Sequence, residues 1–348
     1  MNAFIRISRL IAAILLLTAC DPIPAPYTQI ELTGRTMGTT YSVKLVDVPK
    51  DLDQATLQKA IDARLADINR QMSTYDPASE LSRFNRQSGT HWFSVSPALV
   101  QVVDEAKRTS RLSDGIFDVT VGPLVDLWGF GPEKTMDPIP SDLRIRQALS
   151  LVGFEKLETR DQPPALRKTV AGLRVDLSAI AKGYAVDEVS LLLHRRGLDN
   201  HLVEIGGELR GKGHNARRAS WRIAVEKPGA DFKTAYMAVH LADQGMATSG
   251  DYRNFFEKNG RRYSHTIVPT TGKPVIHSLA SVTVVAQSCM RADALATALL
   301  ASGPDQGYAL ARREGIAALF IERTDQGFHT RATAPMKALM LKRAPKSP

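Results

Sequence analysis

Asp293 and Thr297 stand four residues apart in Arg291–Ser302, a run of small and apolar residues spaced for a helix. A carboxylate and a hydroxyl therefore share one helical face. Two hard oxygen donors are an incomplete ligand set, which Mg²⁺ accepts because waters and substrate phosphates complete its octahedron. The alternative is an ordinary helix start, where the dipole favours an aspartate in the first turn. His265 lies in a polar loop between Tyr263 and Ile267 and is a candidate general base, since imidazole titrates near neutrality. The third place is Val175–Asp187, VDLSAIAKGYAVD. Leu173, Val175 and Leu177 alternate with Arg174 and Asp176, which predicts a short strand; after Ser178 the spacing turns helical and runs to Gly197, a C′ residue. Ser178–Lys182 is then a strand-to-helix junction. Its free N–H groups and the Lys182 charge suit an anion such as a phosphate, and Gly183 keeps the backbone approachable. An ordinary turn with a solvated lysine is the other reading, because the Walker spacing is absent. CxxC, HExxH, GxSxG and GxGxxG patterns are also absent, so zinc, serine-hydrolase and Rossmann chemistry have no support.

Around these residues the pattern predicts strands as well as helices. Glu31–Val46 reads as a strand pair broken at Met37-Gly38, and Leu52–Met72 as an amphipathic helix. Met72–Asn85 is polar and turn-rich. Ser96-Pro97 starts a helix through Leu112 as N-cap and N1. Gly115–Pro132 holds too many glycines and prolines for one regular element and reads as a close-packed turn region. Glu133–Pro164 is a polar insertion with one short helix near Ser141–Leu151. Further strands are expected at His201–Ile205, Trp221–Glu226, Tyr236–Leu241 and Ala280–Ala286, with Ile316–Glu322 as the last central strand. Strands come in runs as well as alternating with helices, which favours an α+β fold.

The 348 residues suffice for a large core, and the net charge of +9 favours anionic ligands or a membrane surface. The charge is dispersed and carries no nucleic-acid-binding signature, so nucleic acid is not an expected partner. The N-terminus reads as a targeting segment: Arg6 and Arg9, the apolar run Leu10–Leu17, then Leu17-Thr18-Ala19-Cys20, which resembles the bacterial lipoprotein cleavage box. The expected organisation is a signal peptide over residues 1–19, a lipidated tether over 20–30 beginning at Cys20, a folded domain over 31–334 and a loose basic tail over 335–348. Asp21 resembles the signal that retains such lipoproteins in the inner membrane, so the expected location is that membrane's periplasmic face. With Cys20 lipidated, Cys289 has no disulfide partner and reads as a small buried hydrophobe.

Taken in order, TGRTMGTTYSV, MSTYDPASELSRFN, FDVTVGPLVDLWGFGP, VDLSAIAKGYAVD, VEIGGELRGKG, ATSGDYRNFF, YSHTIVPTTGKPV and ADALATALL resemble the successive motifs of the ApbE family, the bacterial FAD:protein FMN transferases. The resemblance runs from about Gly34 to Gly303. It implies an α+β fold of antiparallel sheets flanked by helices, with FAD in a cleft between two lobes. It implies Mg²⁺-dependent cleavage of FAD, with FMN joined to a threonine hydroxyl of an acceptor protein and AMP released. The acceptors known for the family are subunits of Na⁺-pumping and Rnf-type redox complexes.

Carried onto this chain, the resemblance assigns Met37, Tyr75, Ile116, Phe117, Asp118, Asp176, Lys182 and Ile267 to FAD, with Thr248, Ser249 and Arg253 as further pocket members. It assigns the Ala179 carbonyl, Asp293 and Thr297 to the metal, and His265 to the base. The chain departs from many members at Val268, where they carry aspartate. Two other functions stay open: an FAD pyrophosphatase yielding FMN and AMP, and a lipoprotein that binds FAD without catalysis.

Overall fold

The computed structural model describes residues 28–340 apart from 133–138, 229–234, 252–254 and 259–260. Residues 1–27 (the expected leader and Cys20 among them), Arg253 and residues 341–348 lie outside the described residues. The centre is one eight-stranded sheet: β1 (Gln29–Thr36), β2 (Thr39–Val46), β3 (His201–Ile205), β4 (Glu208–Lys212), β5 (Gln244–Gly250), β6 (Leu279–Ala286), β7 (Ala317–Thr324) and β8 (Gly327–Ala332). Neighbours in the sheet are neighbours in the chain, and every pairing is antiparallel. The sheet is thus a meander into whose turns other elements are inserted.

The insertion between β2 and β3 carries α1 (Gln54–Met72), α2 (Glu80–Arg86), α3 (Pro97–Leu112), α4 (Gly122–Leu127), α5 (Asp142–Leu149) and α6 (Ala181–His194). Between β6 and β7 run α7 (Cys289–Ser302) and α8 (Pro304–Arg313), and α9 (Ala334–Leu339) follows β8. The sheet is covered on both faces. Val43, Ala247, Val282, Val284 and Phe320 face helices; Val46, Met246, Val285, Leu319 and Ile321 face the hairpin Trp221–Glu226/Ala235–Leu241 and Met336 of α9. Two covered faces explain the almost unbroken apolar run of β6. A smaller core lies apart, in which Leu124, Trp128, Ile145, Ala148 and Ile267 pack with the hairpins of residues 255–264 and 267–274.

Local signals placed many elements well. Asp53 and Ser96 accept N-terminal amide bonds of α1 and α3. Met37 and Gly38, with φ of 48° and 72°, form the turn that joins β1 to β2. Gly197, φ 74°, closes α6: its N–H donates to the His194 carbonyl, and that of Leu198 donates to the Leu193 carbonyl.

Other expectations are corrected. Leu173–Leu177 is no strand; it has one bridge, Arg174 to Val121. Both Val175 backbone groups bond the Asn85 side chain, each at 2.8 Å, so the alternation there reports burial and no ladder. Residues 133–164 hold more than a helix, since Leu157–Asp161 pairs with Pro164–Lys168 and the latter with Phe93–Ser94. The polar strands β4 and β8 and the small-residue strand β5 gave little periodic signal; β8 forms the sheet's edge, so β7 is the last central strand, as expected. Residues 335–339 belong to α9, held by the fully buried Met336.

Candidate active site

Two helices meet closely enough that one position must lack a side chain. A Cβ on Gly183 would stand 2.4 Å from the Cys289 carbonyl oxygen, so glycine lets the first turn of α6 lie against the start of α7. Asp187, one turn further along α6, then caps α7 from outside, accepting from the Cys289 and Met290 amides at 2.9 Å each. Arg210 on β4 braces Asp187 at 2.9 Å. Burial, with Asp187 beside it, pushes the Cys289 thiol well up, which makes it an inert core group. The α7 start lies at Cys289 with Ser288 as N-cap, so Asp293 sits past the first turn and the ordinary helix-start reading does not account for it.

A charged cluster fills this junction. Asp293, 3% exposed, accepts from the Gly183 N–H at 3.0 Å. Lys182 donates to Glu208 Oε1 at 2.8 Å; Glu208 is 4% exposed, while Lys182 keeps 29% of its side chain accessible. Burial pulls the ammonium down, but Asp293 and Glu208 outweigh it and hold Lys182 well above the ordinary lysine value. Burial pushes the Glu208 carboxyl up to about 7 against the pull of Lys182, with Asp293 adding to the rise. Asp293 is likewise raised by burial, countered by Lys182 and the Gly183 N–H. The resemblance assigned no role to Glu208 or Asp187. Both lie in motifs quoted above, yet their partners are distant in sequence and no local spacing reveals them.

Thr297, one turn beyond Asp293, meets Ser249 of β5 with hydroxyl oxygens 2.8 Å apart. Thr248 is separated from them by the strand's alternation: it pairs with Thr283 at 2.8 Å and lines a cavity of about 280 Å³ with Lys44, Glu204 and Arg222 on the opposite sheet face. Asp176 accepts from the Ser178 N–H at 2.8 Å, and its own N–H donates to the Val119 carbonyl at 2.7 Å. That bond ties the Lys182 segment to the run Ile116–Asp118. Within this run Ile116 is half-buried and Phe117 belongs to the core. The Asp118 carboxylate is occupied by the Thr120 N–H and hydroxyl, both at 2.7 Å.

Tyr75, 68% exposed, stands in the α1–α2 loop, which Ser73 pins by accepting from the Tyr75 and Asp76 amides. Partial burial of its hydroxyl, with the Asp176 and Asp126 carboxylates nearby, raises the phenol pKa. Met37 packs on the main core from a left-handed backbone uncommon for a bulky residue.

Ile267 belongs to the smaller core, and His265 borders it. The His265 ring stands edge-on to Phe130, centroids 6.4 Å apart, and Ile267 is 7% exposed. Trp128 Nε1 donates to the Gly272 carbonyl at 2.8 Å and anchors this loop to α4.

Among the described residues no group of three or more His, Cys, Asp or Glu side chains could hold a metal. The expected set is instead one carboxylate, one hydroxyl and one carbonyl. It fits a hard cation: Asp293 is nearly fully buried, and the Gly183 N–H, which would close a helical turn onto the Ala179 carbonyl, goes to Asp293.

Fold and site together define an antiparallel α+β body with an acidic–basic cluster where two helices start. The chain belongs to the ApbE family, whose model matches residues 37–320. It is 46% identical over 332 residues to the FAD:protein FMN transferase of Vibrio cholerae, covering 95% of this chain and 98% of that one. It is 36% identical over 348 residues to that of Escherichia coli K12, covering 97% and 98%. Among solved structures, the flavin transferase ApbE from Vibrio cholerae superposes with a TM-score of 0.83 at 45% identity, over 90% of this chain and 100% of that one. The apo flavinyl transferase ApbE of Pseudomonas stutzeri gives 0.83 at 41% identity, over 90% and 97%.

Proposed function

We propose that this chain moves the FMN half of FAD onto a threonine hydroxyl of an acceptor protein, with Mg²⁺ required and AMP released. The observation that carries this reading is the Lys182–Glu208–Asp293 cluster, a lysine with 29% of its side chain accessible, backed by two buried carboxylates at a helix start. Membership of the family supports it, as do the relatives named FAD:protein FMN transferase.

The threonine oxygen forms a bond to the phosphorus of the FMN half. The bond from that phosphorus to the bridging oxygen breaks, and AMP departs with that oxygen. His265 takes the hydroxyl proton, which contributes roughly 10²–10⁴-fold. Lys182 retains donors beyond the one given to Glu208 and directs them, with the α6 N-terminus, at the phosphate oxygens where charge grows. Asp293, Thr297 and the Ala179 carbonyl would hold the Mg²⁺, which supplies charge neutralisation at the pyrophosphate when bound. Tyr75 offers an exposed ring for stacking on the flavin. Met37, Asp176, Ile267, Ser249 and Arg253 complete the proposed pocket. The acceptors are subunits of membrane redox complexes of the Na⁺-pumping or Rnf type. The chain works from the periplasmic face of the inner membrane, anchored by lipid on Cys20.

The test mixes the full chain with FAD, Mg²⁺ and a threonine-bearing acceptor, and follows acceptor mass and AMP together. The acceptor should gain one FMN, and chelation of the metal should prevent it. His265→Ala should slow transfer by about 10²-fold or more and leave FAD binding intact. AMP with free FMN and an untouched acceptor would instead identify an FAD pyrophosphatase; neither product, with FAD bound, would identify a flavin-binding protein. Cys20→Ser should release the chain from membranes, and retention there would refute the anchor.

A further inference from the structure

Glu208 opens β4 directly after the Gly206-Gly207 turn, whose two positive φ angles swing the chain from β3 back into the sheet. Its Oε1 accepts from Lys182, but its Oε2 is buried with no hydrogen-bond partner among the described residues. An unpaired buried carboxylate oxygen is costly, and in the ionised form that Lys182 favours the group accepts hydrogens without giving any. Oε2 is therefore set to receive a donor that none of the described residues supplies.

The chemistry of the site narrows what that donor is. A pyrophosphate offers acceptors only, and its charge repels a carboxylate. Water on a divalent cation is a strong donor, and Mg²⁺ keeps several waters where the protein provides few ligands, as one carboxylate, one hydroxyl and one carbonyl do. Lys182 and Gly183 are consecutive at the start of α6, and they bond Glu208 and Asp293 at 2.8 and 3.0 Å, so the two carboxylates approach the same short stretch of chain.

We propose that Glu208 is a second carboxylate of the cation site, its Oε2 accepting a hydrogen bond from water on the ion held by Asp293 and Thr297. This extends the Mg²⁺-dependent reading above and rests on it. Glu208 is then a positioning residue with two grips: it fixes Lys182 through Oε1 and steadies the ion's hydration shell through Oε2. The arrangement also explains how a site with a single direct carboxylate holds its metal.

The experiment is Mn²⁺ binding to the full chain without FAD, read from the electron paramagnetic resonance signal of free Mn²⁺. It registers no flavin transfer, so its failure is separate from a failure of the transferase assay. Glu208→Gln keeps the shape of the side chain and should weaken Mn²⁺ about tenfold or more. Lys182→Met removes a like charge and should tighten it, and the double variant Lys182→Met/Glu208→Gln should bind about tenfold more weakly than Lys182→Met alone. The double variant also serves if the lone carboxamide does not fold, because it deletes both charges of the pair. Equal affinity of Lys182→Met and the double variant would show that Glu208 only balances Lys182, and would overturn the proposal. So would unchanged Mn²⁺ affinity in folded Glu208→Gln with weaker FAD binding, which would assign Oε2 to a sugar hydroxyl of the substrate. Absence of Mn²⁺ binding by the wild-type chain would overturn both the direct ligand set and this extension.

Discussion

Lys168 and Lys182 both turn their ammonium groups inward, and their partners differ in kind. Lys168, in the strand Pro164–Lys168, has no accessible surface and donates to the carbonyls of Phe84, Asn85 and Leu173 at 3.3, 3.1 and 3.2 Å. The Phe84 ring lies 5.3 Å from Nζ. Burial, with Arg174 nearby, holds its pKa below the ordinary lysine value. Lys182 keeps partial access to solvent, has two buried carboxylates behind it, and is held above that value. Lys168 is a clip that ties the end of α2 to the segment leading into Asp176. Lys182 is held by buried carboxylates while part of its side chain stays accessible, the setting our proposal gives to a charge that meets an anion. A buried ammonium on neutral carbonyls serves the fold; one over-supplied with carboxylates and left accessible serves chemistry.

The largest expected effect tests that division directly. Lys182→Met should lower AMP release at saturating FAD about 10²–10³-fold, the usual cost of losing one donor aimed at developing charge. Lys168→Met, measured per folded molecule, should stay within a few-fold of wild type. Equal losses would break the comparison and make the Lys168 clip part of the catalytic geometry. On stability the pair should differ less. Lys182→Met leaves Glu208 and Asp293 without their cation and should cost about 3 kcal/mol at neutral pH. Lys168→Met leaves three carbonyls without a donor but also removes a buried charge, and should cost about 1–2 kcal/mol. Urea unfolding of both variants, with unchanged slopes, reads this out.

The same contrast shows what the sequence makes legible. The Asp293–Thr297 pair, the β1–β2 turn and the capped helices α1 and α3 rest on residues a few positions apart, where spacing alone specifies geometry. Lys168 reaches Phe84, and Lys182 reaches Glu208, across intervening helices and strands, so no periodicity records either contact. The alternation at Leu173–Leu177 misled for a related reason: a segment buried on one side alternates whether a ladder or an asparagine side chain satisfies its backbone. Thr248 and Ser249 look like one motif in sequence, yet a strand sends them to opposite faces. The motif order carried the family; which members of a motif act together required the sheet.

Alkaline unfolding gives the smallest effect and separates the lysines by sign. The unfolded chain releases lysine protons near pH ~10.4. Lys168 is depressed when folded, so below that pH there is a window in which the unfolded state holds more protons. Within it the stability of wild type relative to Lys168→Met should climb with pH, at most about 1.4 kcal/mol per unit. Lys182 is raised when folded. Its contribution is fully present below pH ~10.4 and is lost only as pH rises from there toward its folded value. Wild type relative to Lys182→Met should therefore stay level where the first difference climbs, then fall. Each difference cancels the titrating groups far from the substituted lysine; Lys182→Met also raises Glu208 and Asp293, so its curve is read only above the pH at which both carboxyls have ionised. Two parallel curves would mean that both ammonium groups see the same surroundings, and the distinction between clip and charge would be lost.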